Sequence, residues 1–148
     1  MGVLMGDVVW RLEEIGDYIF LLNCYGPGEK NILQRRFKKD RKAFNKLYDL
    51  LGKFDELGFD DAMSFGLSNH YIGSIANNKH LSLIEIRVKS TLWRVVTYVD
   101  RGRKVLVMLD VFEHHKSKTM NTIVNENEKN VKRAMELLER GGRHGDEG

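Results

Sequence analysis

Three apolar runs in close succession, Leu81 to Val88, Leu92 to Val99 and Lys104 to Phe112, constrain the fold more than any other feature of the chain. Each is rich in β-branched and aromatic residues, which suit a pleated, half-buried surface. Only Lys89 to Thr91 and Asp100 to Arg103 separate them. Links of that length close hairpins and cannot carry a crossover. The spacing therefore predicts an antiparallel meander of three strands.

The rest of the chain supplies what covers such a sheet. Tyr18-Ile19-Phe20-Leu21-Leu22, inside the stretch from Asp17 to Cys24, is short and apolar and stops at Gly26-Pro27-Gly28, as a buried strand closed by a turn would. From Glu29 to Leu57 the residues Ile32, Leu33, Phe37, Phe44, Leu47, Tyr48, Leu51 and Phe54 fall near helical spacing, giving a long helix or a helical hairpin. Gly58 to Asn78 carries Asp60-Asp61, Gly66, Asn69, Gly73 and Asn77-Asn78, and reads as an irregular loop with one helical turn at most. Met120, Ile123, Val124, Val131, Ala134, Met135 and Leu138 form the stripe of a terminal helix that Thr119 or Asn121 would cap. The expected fold is α+β, a small twisted antiparallel sheet with an N-terminal helix or hairpin and a C-terminal helix. Its domain spans residues 17–140, between an extension, residues 1–16, in which Val8 to Ile15 form either a strand or a short helix, and a disordered tail, 141–148.

A chain of 148 residues, 42% of them hydrophobic, has material for one core. The single cysteine, Cys24, excludes an internal disulfide and a cysteine-only zinc cage. No run approaches the roughly 18 to 20 apolar residues of a membrane span, and Met1 to Asp7 lacks a signal peptide's basic flank, so a cytoplasmic location is expected. The formal charge of +3 is small, but Arg35 to Lys42 holds six basic residues in eight, either a solvated helix face or a nucleic-acid contact.

A tight turn at Ser90-Thr91 would pair Val88 with Trp93 and Arg87 with Arg94. Alternation then puts Glu85, Arg87, Arg94 and Tyr98 on one sheet face, expected to be polar, with Ile84, Ile86, Val88, Trp93 and Val95 facing the core. Like charges opposed across a ladder are destabilising unless something anionic lies between them. An Arg87–Arg94 pair therefore marks a phosphate site, or a bridge from Glu85, or two ordinary arginines on a solvated face.

Before the terminal helix, Phe112 to Thr119 gathers His114, His115, Lys116 and Lys118. The amides and dipole of a helix N-terminus favour a phosphate there, and an imidazole exchanges protons near neutral pH, as RNA cleavage by its own 2′-hydroxyl requires. Adjacent histidines on extended backbone point apart and no acidic cluster completes a ligand set, so neither a metal nor another cofactor is expected. His70 and His80 stand alone in the sequence, and Tyr98 is an ordinary strand residue.

Lys79-His80-Leu81, Leu83-Ile84-Glu85-Ile86-Arg87, Trp93-Arg94-Val95 and the loop Phe112 to Thr119, in that order ahead of a terminal helix, resemble the RelE/ParE toxin superfamily in its HigB-like, phage-associated branch. The likeness runs from about Asp17 to Leu138. It implies the toxin of a type II toxin–antitoxin pair, an endoribonuclease that cuts messenger RNA on the ribosome without a metal and is held by a helix-turn-helix antitoxin, as a homodimer or a toxin–antitoxin heterotetramer. Carried over by position, Arg87 and Arg94 grip the scissile phosphate, His114, His115 and Lys118 supply charge or proton transfer, and Tyr98 is a secondary candidate. Lys79, His80, Lys89 and Lys116 are the expected RNA contacts. The chain departs from the branch's pattern where His114-His115 replaces a lysine pair and Met120 stands in place of a proline. Two alternatives are a ParE-like inhibitor of DNA gyrase and a non-catalytic interaction protein of phage origin.

Overall fold

A computed structural model of the chain describes residues 9–25, 31–75, 82–114 and 120–141. In chain order these form β1 (Val9–Glu14), β2 (Ile19–Tyr25), α1 (Ile32–Arg36), α2 (Arg41–Leu57), α3 (Phe59–Ser68), β3 (Ile72–Ser74), β4 (Leu83–Arg87), β5 (Trp93–Asp100), β6 (Val105–Glu113) and α4 (Met120–Gly141). The class is α+β, as the sequence predicts, but the sheet is larger than expected. Its six strands run β1-β2-β6-β5-β4-β3.

The meander is present, β4 antiparallel to β5 and β5 to β6. The sheet as a whole is not antiparallel: β2 joins β6 in parallel, Ile19 beside Leu106 and Leu21 beside Met108. Parallel neighbours need a long crossover, and the stretch from α1 to β5 provides one. Residues 9–14, part of the extension left open above, are edge strand β1, paired with β2 from Val9↔Tyr25 to Glu14↔Phe20.

Both faces of the sheet are covered, as the near-continuous apolar character of β2 and β6 requires. On one face lie α1, α2 and α3, where the Phe37 ring sits 4.9 Å from that of Trp93 and the Tyr18 hydroxyl donates to the Phe54 carbonyl. On the other, α4 packs against β1 and β6, with the Arg133 guanidinium 4.1 Å over the Trp10 ring.

The helical stretch breaks in two: α1 ends at its C-cap Phe37, and Asp40 caps α2. Its Oδ1 accepts from the Ala43 amide at 3.1 Å while its Oδ2 accepts from the Trp93 indole at 2.9 Å, pinning the start of α2 to β5. Ala43, Leu47, Leu50, Leu51 and Phe54 then bury one stripe of α2.

The loop expected from Gly58 contains α3. Gly58 takes φ +84°, ending α2 and turning the chain into the next helix. Asp60 and Asp61, which read as loop residues, occupy the first turn of α3, where a helix dipole favours acid. Gly66 lies within α3, where a Cβ would stand 2.3 Å from Ile72 Cδ1, so its absence lets α3 lie against β3. Among the described residues no helix is long and apolar enough to cross a membrane.

Candidate active site

Turn chemistry sets the register of the site. The β4–β5 link is a four-residue loop, with Thr91 N donating to Val88 O and Ser90 at φ +67°, in place of the two-residue turn expected at Ser90-Thr91. The pairing is the same in either geometry: Val88 meets Trp93 through a 3.2 Å bond, and Arg87 stands opposite Arg94.

Glu85 lies on the same face, two residues from Arg87. Its Oε2 accepts from Arg87 Nε at 2.9 Å and stands 3.8 Å from Arg94 Nε. The like charges are thus held together by a carboxylate. Arg94 also donates through Nη1 to the carbonyls of Thr91 and Trp93, at 3.3 and 3.0 Å, which fixes its guanidinium at the hairpin end. Arg87 Nη1 reaches the His70 carbonyl at 3.5 Å.

This face is expected to be polar, and most of it is buried: Glu85 is 5% exposed, Leu83 2% and Tyr98 8%, while the Arg87 side chain is 34% exposed. Burial leaves two polar atoms without a hydrogen bond, Glu85 Oε1 and Arg94 Nε. An orphaned buried acceptor costs about 1–3 kcal/mol and calls for an explanation. A group that must take up a proton or receive a substrate is one such explanation.

Two features that sequence reasoning missed shape the cluster. Gly73 of β3 is its floor, for a Cβ there would lie 2.4 Å from Arg87 Nη2 and 3.0 Å from Cζ. In the sequence Gly73 reads as a loop residue; within β3 it is a glycine in a strand, which marks a close approach. The second is a β-bulge in β6, where Val96 pairs with Asp110 but Thr97 with Met108, leaving Leu109 as the extra residue. Regular alternation from Val107, opposite Tyr98, would bring Val111 across from Arg94; the bulge brings Phe112 there instead. His114 follows two residues on, its amide bonded to Leu92 O at 2.7 Å, a diagonal position from Arg94 that in a regular ladder lies roughly 7–8 Å away.

The other expected site residues fall elsewhere. Tyr98 is on the cluster's face but four residues along β5 from Arg94, about 13 Å at the rise of a strand. Desolvation by burial, with the Asp100 charge second, raises its phenol above the ordinary value, so it is held neutral. Lys89 lies on the helix side of the sheet, its ammonium 4.6 Å over the Tyr71 ring. His115, Lys116, Lys118, Lys79 and His80 lie outside the described residues, as does Thr119; Asn121 is within the first turn of α4 and does not precede it. No group of three or more His, Cys, Asp or Glu is placed to hold a metal ion among the described residues.

Comparison of the chain with protein-family models, with curated proteins and with solved structures finds no match.

Proposed function

We propose that the chain is an RNA-cleaving toxin of the RelE/ParE superfamily, in its HigB-like branch. The observation that carries the reading is the triad Arg87–Glu85–Arg94: two guanidinium groups on opposed rungs sharing one carboxylate oxygen, while the other oxygen of that carboxylate is buried and unbonded.

The reaction such a group supports is transesterification at a phosphodiester. Glu85 Oε1 takes the proton of the RNA 2′-hydroxyl as its oxygen attacks the adjacent phosphorus. Arg87 turns from Glu85 to a non-bridging oxygen, Arg94, held at the hairpin end, meets another, and together they stabilise the charge of the phosphorane, where guanidinium forks fit best. The bond from phosphorus to the 5′-oxygen then breaks, and that oxygen takes its electron pair and a proton from an imidazole, His114 or its neighbour His115. The products are a 2′,3′-cyclic phosphate and a free 5′-hydroxyl. Phosphate must displace the Arg87–Glu85 ion pair for this to proceed, which suits the more exposed Arg87 as the mobile partner, 34% exposed against 16% for Arg94.

In this reading the toxin acts in the cytoplasm on ribosome-bound messenger RNA and is restrained by a helix-turn-helix antitoxin, as homodimer or heterotetramer. Purified protein added to a translation mixture should cut the message, and Arg94→Ala and Glu85→Gln should stop cutting while unfolding as cooperatively as wild type. Intact transcripts beside folded, ribosome-bound wild type would refute it.

One observation favours a second reading, a ParE-like gyrase inhibitor or other protein-binding module: Glu85 already neutralises part of the charge that a phosphate would seek. DNA damage with unchanged RNA on expression would decide for it.

A further inference from the structure

On the opposite face of the sheet from the triad, α2 and the β4–β5 loop enclose a groove that the cleavage chemistry does not use. Lys42, Lys46, Asp49 and Lys53 follow one another at spacings of four, three and four residues, and so line a single stripe of α2. A cavity of about 380 Å³ lies between this stripe and the loop, with Lys46, Lys53, Lys89, Phe65 and Tyr71 in its wall. A neighbouring cavity of about 330 Å³ shares Lys46 and Ser90 with it and continues to Lys42. From Lys42 to Lys53 the stripe runs about 16 Å at the rise of an α-helix.

At the deep end the Phe65 and Tyr71 rings stack at 5.6 Å and 23°. Lys53 stands 5.7 Å from the Phe65 centroid and Lys89 4.6 Å from that of Tyr71. Among the described residues none of Lys42, Lys46, Lys53 and Lys89 has an ion-pair partner. Lys46 Nζ donates to the Lys89 carbonyl at 3.4 Å, and the Asp40 carboxylate acts on Lys42 and Lys46 through its charge without forming an ion pair. Unpaired ammonium groups interleaved with aromatic faces are what a single nucleic-acid strand recognises, phosphates on the lysines and a base on the ring. The Tyr71 carbonyl accepts from the Arg87 amide at 2.8 Å, so the ring at the end of the groove is one backbone bond from a triad residue.

We propose that this groove is the track for a single-stranded RNA: Lys46, Lys53 and Lys89 bind successive phosphates, and Tyr71 stacks a base in place of the Lys89 ammonium. The preference for RNA rests on the cleavage reading; the electrostatics and stacking do not. The strand then passes the β4–β5 loop and reaches Arg87 from the Tyr71 side.

Fluorescence anisotropy with a labelled, uncleavable 2′-O-methyl RNA octamer separates this track from the chemistry. Wild type should bind, with log affinity falling against log salt at a slope of about −2, as three phosphates on single-stranded nucleic acid give. The triple variant Lys46→Ala, Lys53→Ala, Lys89→Ala, all exposed positions, should lose tenfold or more in affinity and most of the slope. Tyr71→Leu should weaken binding about fivefold or more and leave the slope alone. Should Tyr71→Leu fail to fold, the lysine variants carry the test. Arg94→Ala should cut nothing and still bind. Unchanged affinity in the triple variant, or no binding by wild type at 50 mM salt, overturns the track. If wild type binds through these lysines and never cleaves RNA, the track stands and the nuclease reading fails; cleavage with groove-independent binding gives the reverse. Equal binding of a labelled single-stranded DNA octamer of the same sequence upholds the groove as a single-strand track and overturns its preference for RNA.

Discussion

Replacing Gly73 by alanine should separate the triad's chemistry from the stability of the fold. The new Cβ would stand 2.4 Å from Arg87 Nη2. Carbon atoms pack at about 3.5–4.0 Å, so the guanidinium must retreat by about an ångström and give up its bond to Glu85. The group that moves is the free end of a long side chain, which makes the retreat cheap. Giving up that bond leaves the buried Glu85 carboxylate with only Arg94 Nε, at 3.8 Å, beside its Oε2, and an unsatisfied buried group costs about 1–3 kcal/mol. Alanine in a strand regains about 0.5–1 kcal/mol through lower unfolded-state entropy, since Gly73 does not need a positive φ. The gain offsets part of the loss, and urea unfolding should place Gly73→Ala about 1–2 kcal/mol below wild type. RNA cleavage, which needs Arg87 beside the phosphate, should fall at least tenfold in a single-turnover assay. A variant that cleaves normally, or one destabilised by more than about 3 kcal/mol, would refute the idea that Gly73 is there to seat Arg87.

Gly66→Ala should behave in the opposite way, because its Cβ meets the buried Ile72 side chain at 2.3 Å; overpacking of this kind costs about 1–3 kcal/mol, measured as a shift in urea midpoint. Asp40→Ala removes both the α2 cap and the acceptor of the Trp93 indole, and should cost about 2 kcal/mol with a change in tryptophan fluorescence. The hydrogen bond from Trp93, then that from Ala43, lowers the Asp40 carboxyl below its ordinary value. Its contribution is therefore complete above the unfolded value near 4 and is lost as pH falls through the lower folded one; acid titration of wild type against Asp40→Asn should show that difference. Burial raises Tyr98 and Tyr18, so the stability of the neutral phenols is complete below about pH 10 and is lost as pH rises further; Tyr98→Phe should blunt the alkaline loss.

The parts of the fold legible in the sequence are those governed by local pattern. Short links and alternation specify β4, β5 and β6, and a link of two or of four residues centred on Ser90-Thr91 places Arg87 across from Arg94. The parallel seam between β2 and β6 is a long-range choice, and nothing in Tyr18 to Leu22 distinguishes a neighbour in one direction from the other. Helix α3 was hidden because glycine and acidic residues carry two meanings: Gly66 is a packing contact and Asp60 and Asp61 are a favourable first turn, yet each also signals a loop. In the site, Glu85 was visible as a same-face neighbour of Arg87, but its burial and unbonded oxygen depend on what the folded sheet covers. The bulge at Leu109 cannot be read from alternation, since it is where alternation stops, and it alone decides that Phe112 and not Val111 faces Arg94.

The direct test of the triad's role is the chemistry of the cut ends. A short RNA is incubated with protein, with and without ribosomes, and the fragments are resolved by mass, with a matched substrate carrying a 2′-deoxy sugar at the cut site. Wild type should leave a 2′,3′-cyclic phosphate and a 5′-hydroxyl, spare the deoxy substrate, and lose cleavage on Glu85→Gln. Fragments ending in a 5′-phosphate, or undiminished cutting by Glu85→Gln, would contradict the assignment of Glu85 as the base between two phosphate-binding arginines.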